Sequence, residues 1–186
     1  MEKLIIIEGP QGAGKSTLAN YLRDNLAGSN LYRLSGQKDK TEQGLFYSVQ
    51  MYDALIEYLK VMQNVPMDMI FDRTFTTEEV YARLGYKDYS FTDYYDRYLN
   101  ELSRLEYELH YFSLYLKNVE LFRERLARPE HHQYQSFSIE NSINQQNTFL
   151  NIADEIDEYD SINVHRLPMD DFNESYDEVK RLLRMK

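Results

Sequence analysis

Gly9-Pro10-Gln11-Gly12-Ala13-Gly14-Lys15-Ser16-Thr17 follows directly on Leu4-Ile5-Ile6-Ile7-Glu8, and the join between the two stretches decides the fold. The apolar, mostly β-branched run Leu4 to Ile7 suits a strand buried on both faces, hence one in the middle of a parallel sheet. The nine residues after Glu8 satisfy G-x-x-x-x-G-K-[ST] in full. Leu18, Ala19, Leu22 and Leu26 then recur at helical spacing, and Gly28 stands where that helix stops. Strand, glycine-rich turn and helix in this order make a cradle for anionic oxygens. Backbone N–H groups turn inward, and the helix N-terminus adds its positive end. This reading gives a triphosphate to Gly9, Gln11, Gly12, Ala13, Gly14, Lys15, Ser16 and Thr17. Lys15 neutralises the β- and γ-phosphates, and Ser16 offers its hydroxyl to Mg²⁺. A glycine-rich turn without a ligand is the competing reading, and it has to account for the pattern and its flanking elements together.

Outward from this unit, Leu31 to Leu34 reads as a second strand followed by a polar stretch from Gly36 to Gln43. Leu45, Val49, Tyr52, Ile56 and Leu59 mark an amphipathic helix to about Met62. Asn64-Val65-Pro66 breaks it, and a third strand from Met67 to Phe71 ends on Asp72. The segment from Thr74 to Arg104 is polar and rich in tyrosine, with Tyr86, Tyr89, Tyr94, Tyr95 and Tyr98, and is expected to be helical in pieces. Those tyrosines either pack as an arm with their hydroxyls in water or present a wall for stacking a nucleobase. His110 to Leu116 gives a fourth strand. Val119 begins a helix that Pro129 cuts off, and Glu130 to Ser138 reads as a loop. Ile139, Ile143, Phe149, Ala153 and Ile156 suggest a further helix, Ile162 to Leu167 a fifth strand, and Glu174 to Met185 a last helix entered through Asp171 and Glu174. Alternating strands and helices predict an α/β three-layer sandwich of the P-loop NTPase type, with about five parallel strands in one domain over residues 1–186 and a lid near residues 123–138.

Two further groups carry chemistry. Asp72 sits at the carboxyl end of a buried strand, the edge on which open α/β sheets gather ligands, so it is placed to hold Mg²⁺ or to take an acceptor's proton. Arg73 beside it can grip a phosphate with two charge-assisted hydrogen bonds, or simply pair with Asp72 as a structural ion pair. Arg123, Arg125 and Arg128 lie between the fourth strand and the polar loop. Arginines on a closing flap neutralise transferring phosphates and exclude water. The alternative is a solvated helix face pairing with Glu120 or Glu124. His131 and His132 are adjacent and have no carboxylate at metal-ligand spacing, which makes them loop histidines.

Composition narrows the rest. The 186 residues hold 21 Lys plus Arg against 31 Asp plus Glu, a net charge of −10, which disfavours a duplex nucleic-acid partner. With no cysteine, disulfides, zinc-thiolate sites and a Cys nucleophile are excluded. No apolar run approaches a membrane span, and the short run after Met1-Glu2-Lys3 is broken by Glu8, unlike a secretory signal. The expectation is a cytoplasmic protein with no membrane partner, and an exposed helical face could carry a homodimer.

Ile5 to Leu18 and the block Asp72-Arg73-Thr74, Thr77, Val80-Tyr81 resemble the thymidylate kinase and deoxynucleoside kinase branch of the P-loop kinases. The resemblance implies an ATP- and Mg²⁺-dependent phosphoryl transfer to a nucleoside 5′-monophosphate, thymidylate first, with a deoxynucleoside kinase as the alternative and an idle nucleotide-binding regulatory domain as a further one. It implies that Arg73 holds the acceptor's phosphate, that Thr77 and Tyr81 line the acceptor pocket, and that residues 123–128 begin the lid. Two departures stand out. Tyr32-Arg33-Leu34-Ser35-Gly36-Gln37 carries no carboxylate where nucleoside kinases have a Glu that acts as base, and Thr74 replaces an aromatic. Such divergence is similar to that of phage-encoded nucleotide kinases, whose setting would be the host cytoplasm.

Overall fold

A computed structural model describes residues 1–127 and 138–185. Five strands, β1 (Lys3–Glu8), β2 (Ser29–Arg33), β3 (Asp68–Asp72), β4 (Glu108–Tyr115) and β5 (Ile162–Pro168), form one sheet in the order β2-β3-β1-β4-β5, with every ladder parallel. β1 is the central strand, as the unbroken apolar run required. Its alternation divides the core. Leu4 and Ile6 face a layer built from α2 (Glu42–Met62), α3 (Phe75–Arg83), α4 (Thr92–Leu102) and α6 (Ile139–Ile156). Ile5 and Ile7 face α1 (Lys15–Asn25), α5 (Leu121–Leu126) and α7 (Phe172–Leu182). The expected three-layer α/β architecture is what the chain adopts.

Three local differences have physical causes. The helix α2 begins at Glu42 instead of Leu45, because Thr41 caps it by accepting from the Gln43 N–H at 3.3 Å while its first turn is still polar. Between Val119 and Arg128 only Leu121–Leu126 is helical, and Arg128 lies outside the described residues together with His131, His132 and the loop up to residue 137. The tyrosine-rich segment is core instead of a wet arm. Tyr89, Tyr95 and Tyr98 are buried, the Tyr89 hydroxyl donates to Glu78 at 2.5 Å, and the Tyr98 hydroxyl donates to Asp53 at 2.8 Å. For Tyr89 and Tyr98, carboxylates of α3 and α2 thus replace water as partners.

Candidate active site

The carboxyl ends of β1 and β3 lie side by side, Ile7 opposite Asp72, and this brings the two chemistry-bearing blocks together. Gly9 leaves β1 so close to β4 that an added Cβ would stand 2.8 Å from the Leu114 carbonyl oxygen. Gly14 closes the turn at φ 100° as the N-cap of α1, a left-handed conformation that an L side chain resists. The loop between them is braced from α6. The Gln11 N–H donates to Gln145 Oε1 at 3.0 Å, the Ser142 hydroxyl donates to the Gln11 carbonyl at 3.1 Å, and Gln11 Nε2 donates to the Tyr81 hydroxyl at 3.3 Å.

Lys15 is buried inside this loop, and its ammonium donates to the carbonyls of Gly9 and Pro10 at 2.8 Å each. Burial pushes it down from 10.5 to about 7, the Arg73 guanidinium pushes the same way, and Asp72 and Glu8 oppose. An anion beside Nζ would reverse that balance. Ser16 and Asp72 meet as the sequence placed them, the Ser16 hydroxyl donating to Asp72 Oδ2 at 2.8 Å. These two hard oxygen donors fit Mg²⁺, which takes one or two protein oxygens and completes its shell with water and phosphate. Among the described residues no group of three His, Asp or Glu side chains is placed to hold a metal by itself.

Two arginines stand near Asp72. Arg73 adopts φ 75°, which costs a residue with a Cβ about 1–2 kcal/mol and is held by surrounding hydrogen bonds. Arg33, the last residue of β2, places Nε 3.7 Å from Asp72 Oδ2 and its guanidinium against Asn20. Arg33 was not singled out from the sequence, although its position at the end of the strand beside β3 is the signal that could have found it. Glu8 is the second such residue. Its fully buried carboxylate is surrounded by Thr74, Thr76 and Thr77, and burial raises its pKa while the three hydroxyls hold it down.

The remaining expected residues separate. Tyr81 is half-buried and reaches the P-loop through Gln11. The Thr77 hydroxyl is turned to Glu8 and buried, so it does not face an acceptor. Thr17 is exposed on the first turn of α1. Of the three arginines, Arg128 lies outside the described residues, and Arg123 and Arg125 do not converge. Arg123 is exposed and pairs with Glu120 at 3.4 Å. Arg125 is buried, donates to the carbonyls of Gly12, Ala13 and Met169 at 3.2, 3.3 and 2.6 Å, and lies 4.8 Å over the Phe172 ring. It clamps the P-loop to the turn between β5 and α7.

No protein-family model matches the chain, and no curated protein matches it. Solved structures do. The chain is similar to the thymidylate kinase from Candida albicans, with a TM-score of 0.61 and 18% identity over 98% of this chain and 92% of that one. It is similar to YorR from Bacillus subtilis, solved in complex with phosphorylated GDP, with a TM-score of 0.65 and 16% identity over 97% and 95%. It is also similar to deoxyadenosine kinase from M. mycoides with bound dATP, at 0.56 and 17% over 99% and 100%. At these identities the match establishes the fold. No helix among the described residues is long and apolar enough to cross a membrane.

Proposed function

We propose that the chain is a P-loop kinase that transfers the γ-phosphoryl group of ATP to a nucleoside 5′-monophosphate, with thymidylate the first acceptor to test. The observation that carries this reading is the pair of arginines, Arg33 at the end of β2, beside Asp72 in the sheet, and Arg73 just after β3, next to Asp72 in the chain and near the P-loop lysine. In a chain of net charge −10, two arginines and Lys15 gathered around one buried Asp suit a site for two phosphate-bearing substrates.

Within that site Lys15 neutralises the donor's phosphates, and the P-loop amides and the N-terminus of α1 hold them. Ser16 and Asp72 would hold Mg²⁺, which would supply charge neutralisation to the phosphates. Arg73 and Arg33 orient the acceptor's phosphate for in-line attack. Its oxygen is already ionised at neutral pH, so the site needs no strong base. That agrees with the lack of a carboxylate from Tyr32 to Gln37, and with an Asp72 carboxylate already committed to Ser16 and Arg33. Holding the two phosphates in line, with their charge neutralised, supplies most of the acceleration.

The test is ADP release with ATP and Mg²⁺ against a panel of nucleosides and their 5′-monophosphates. A monophosphate should be used with a kcat/KM at least about tenfold above its nucleoside, roughly 1.4 kcal/mol of discrimination. Arg73→Ala should erase most of that gap. A nucleoside that proves the better acceptor would replace this reading with a deoxynucleoside kinase, and nucleotide binding without acceptor-dependent turnover would replace it with a binding module.

A further inference from the structure

Glu8 ends β1 and is fully buried, yet both of its oxygens are saturated by one short segment 66 to 69 residues away. Oε1 accepts from the Thr74 N–H at 2.6 Å, the Thr74 hydroxyl at 2.8 Å and the Thr76 hydroxyl at 2.5 Å, while Oε2 accepts from the Thr77 hydroxyl at 2.5 Å. Other elements grip the same segment. The Tyr111 hydroxyl of β4 donates to Thr76 Oγ1 at 3.3 Å, and the Tyr52 hydroxyl of α2 donates to the Thr74 carbonyl at 3.3 Å. Filling this volume does not need a carboxylate, since a buried charge is costly and an apolar residue would pack there at less cost. What a carboxylate adds is direction.

The direction bears on Arg73. Its N–H donates to the Ile7 carbonyl at 3.1 Å, and the next N–H along the chain, that of Thr74, donates to Glu8. Consecutive residues of β1 therefore hold the amides on both sides of the Arg73 Cα. The two peptide planes meet at that Cα, and fixing both of them holds Arg73 at the φ of 75° that a residue with a Cβ abandons when nothing holds it. Thr74 is the N-cap residue of α3 but makes no side-chain cap bond, because its hydroxyl is spent on Glu8.

We propose that Glu8 is the positioning residue of the acceptor site: by holding Thr74, Thr76 and Thr77 it fixes Arg73 in the left-handed conformation from which the guanidinium meets the acceptor's phosphate. This rests on the reading that Arg73 grips that phosphate. Glu8 touches neither substrate, since its oxygens are turned to the threonine donors. The unusual run Thr74-Phe75-Thr76-Thr77 is then a cage for one carboxylate, which accounts for Thr74 in place of the aromatic.

The experiment is a double-mutant cycle between Glu8→Ala and Arg73→Ala, with kcat/KM measured for thymidylate and for thymidine and KM for ATP. Glu8→Ala should lower kcat/KM for the monophosphate at least about tenfold, mainly through its KM, and leave the KM for ATP within about twofold. In the Arg73→Ala background it should cost less than about threefold more, because the group it positions is gone. Glu8→Gln keeps an acceptor oxygen for the three Oε1 donors and should recover most of the loss. Thr77→Val, which removes the Oε2 donor, carries the same cycle with a smaller effect should Glu8→Ala fail to fold. Fully additive losses, or a KM for ATP that rises in step, would overturn the positioning role alone. Arg73→Ala with intact monophosphate turnover would overturn the acceptor reading and this inference with it.

Discussion

Replacing Lys15 by Met keeps the length and apolar stem of the side chain and deletes its charge, and the empty site should become more stable for it. Burial holds the Lys15 ammonium at about 7 in place of 10.5. At 1.36 kcal/mol per unit, that difference corresponds to roughly 5 kcal/mol lost by the folded state whenever the unfolded chain is protonated. The folded-state value lies below the unfolded one, so between pH 7 and 10.5 the unfolded chain binds a proton that the folded chain does not. The penalty is therefore complete below about pH 7 and fades as pH rises toward 10.5. Met forfeits the hydrogen bonds to the Gly9 and Pro10 carbonyls, about 1 kcal/mol each. The net gain near pH 6.5 is about 3 kcal/mol, or a Tm rise of roughly 6–12 °C for a chain of this size. Calorimetric unfolding of both nucleotide-free proteins near pH 6.5, 8.5 and 10 reads this directly. The advantage should shrink at each step and change sign at the highest pH. A variant less stable near pH 6.5, or an advantage independent of pH, refutes the reasoning. The same variant should lose turnover by about 10² or more, because the charge that burdens the empty loop is the one that meets the phosphates.

Arg125→Ala should lower stability by about 3 kcal/mol, since three carbonyls lose a charged donor, while Arg123→Ala should stay within about 0.5 kcal/mol; equal thermal shifts in the two variants would contradict the clamp. His110 Nδ1 and His165 Nε2 lie 2.9 Å apart, and burial, followed by the charge of His110, holds His165 at about 4, so stability should fall as pH drops from about 6.5 through 4. His165→Gln should remove about 1–3 kcal/mol of that loss, and urea midpoints at pH 7 and 4.5 that drop equally in both proteins would exclude the pair. Gly44→Ala places a Cβ 2.1 Å from the Asp39 carbonyl oxygen and should cost about 2–3 kcal/mol, which an unchanged melting temperature would disprove.

The parts of this molecule that were legible in its sequence depend on local geometry. Gly9, Gly14, Lys15 and Ser16 stand at fixed offsets from a strand end, and Asp72 ends a strand whose apolar run announces it, so the cradle and its Asp partner could be placed before any fold was known. The parts that were not legible are made by distance. Nothing near Glu8 marks it as the anchor of residues 74–77, and nothing near Arg125 reveals that its guanidinium is spent on Gly12, Ala13 and Met169. The tyrosines misled for the same reason. Their amphipathic character leaves open whether water or a buried carboxylate meets the hydroxyl, and only the packing of α3 and α4 against α2 puts Glu78 and Asp53 there.

The order β2-β3-β1-β4-β5 also has a consequence for how the chain is made. The strand that must finish in the centre is synthesised before both of its neighbours, residues 68–72 and 108–115. At 5–20 residues per second, the gap from Glu8 to Tyr115 leaves Leu4 to Ile7 without its second ladder for roughly 5–20 s on the ribosome. Both edges of this mostly β-branched run are unpaired until residues 68–72 are made, and one stays so until residue 115, which leaves a template for any other extended chain. Cellular yield should therefore depend on what shelters the nascent β1 segment. Slowing elongation before codon 115 should lower soluble yield without altering the stability of the molecules that do fold.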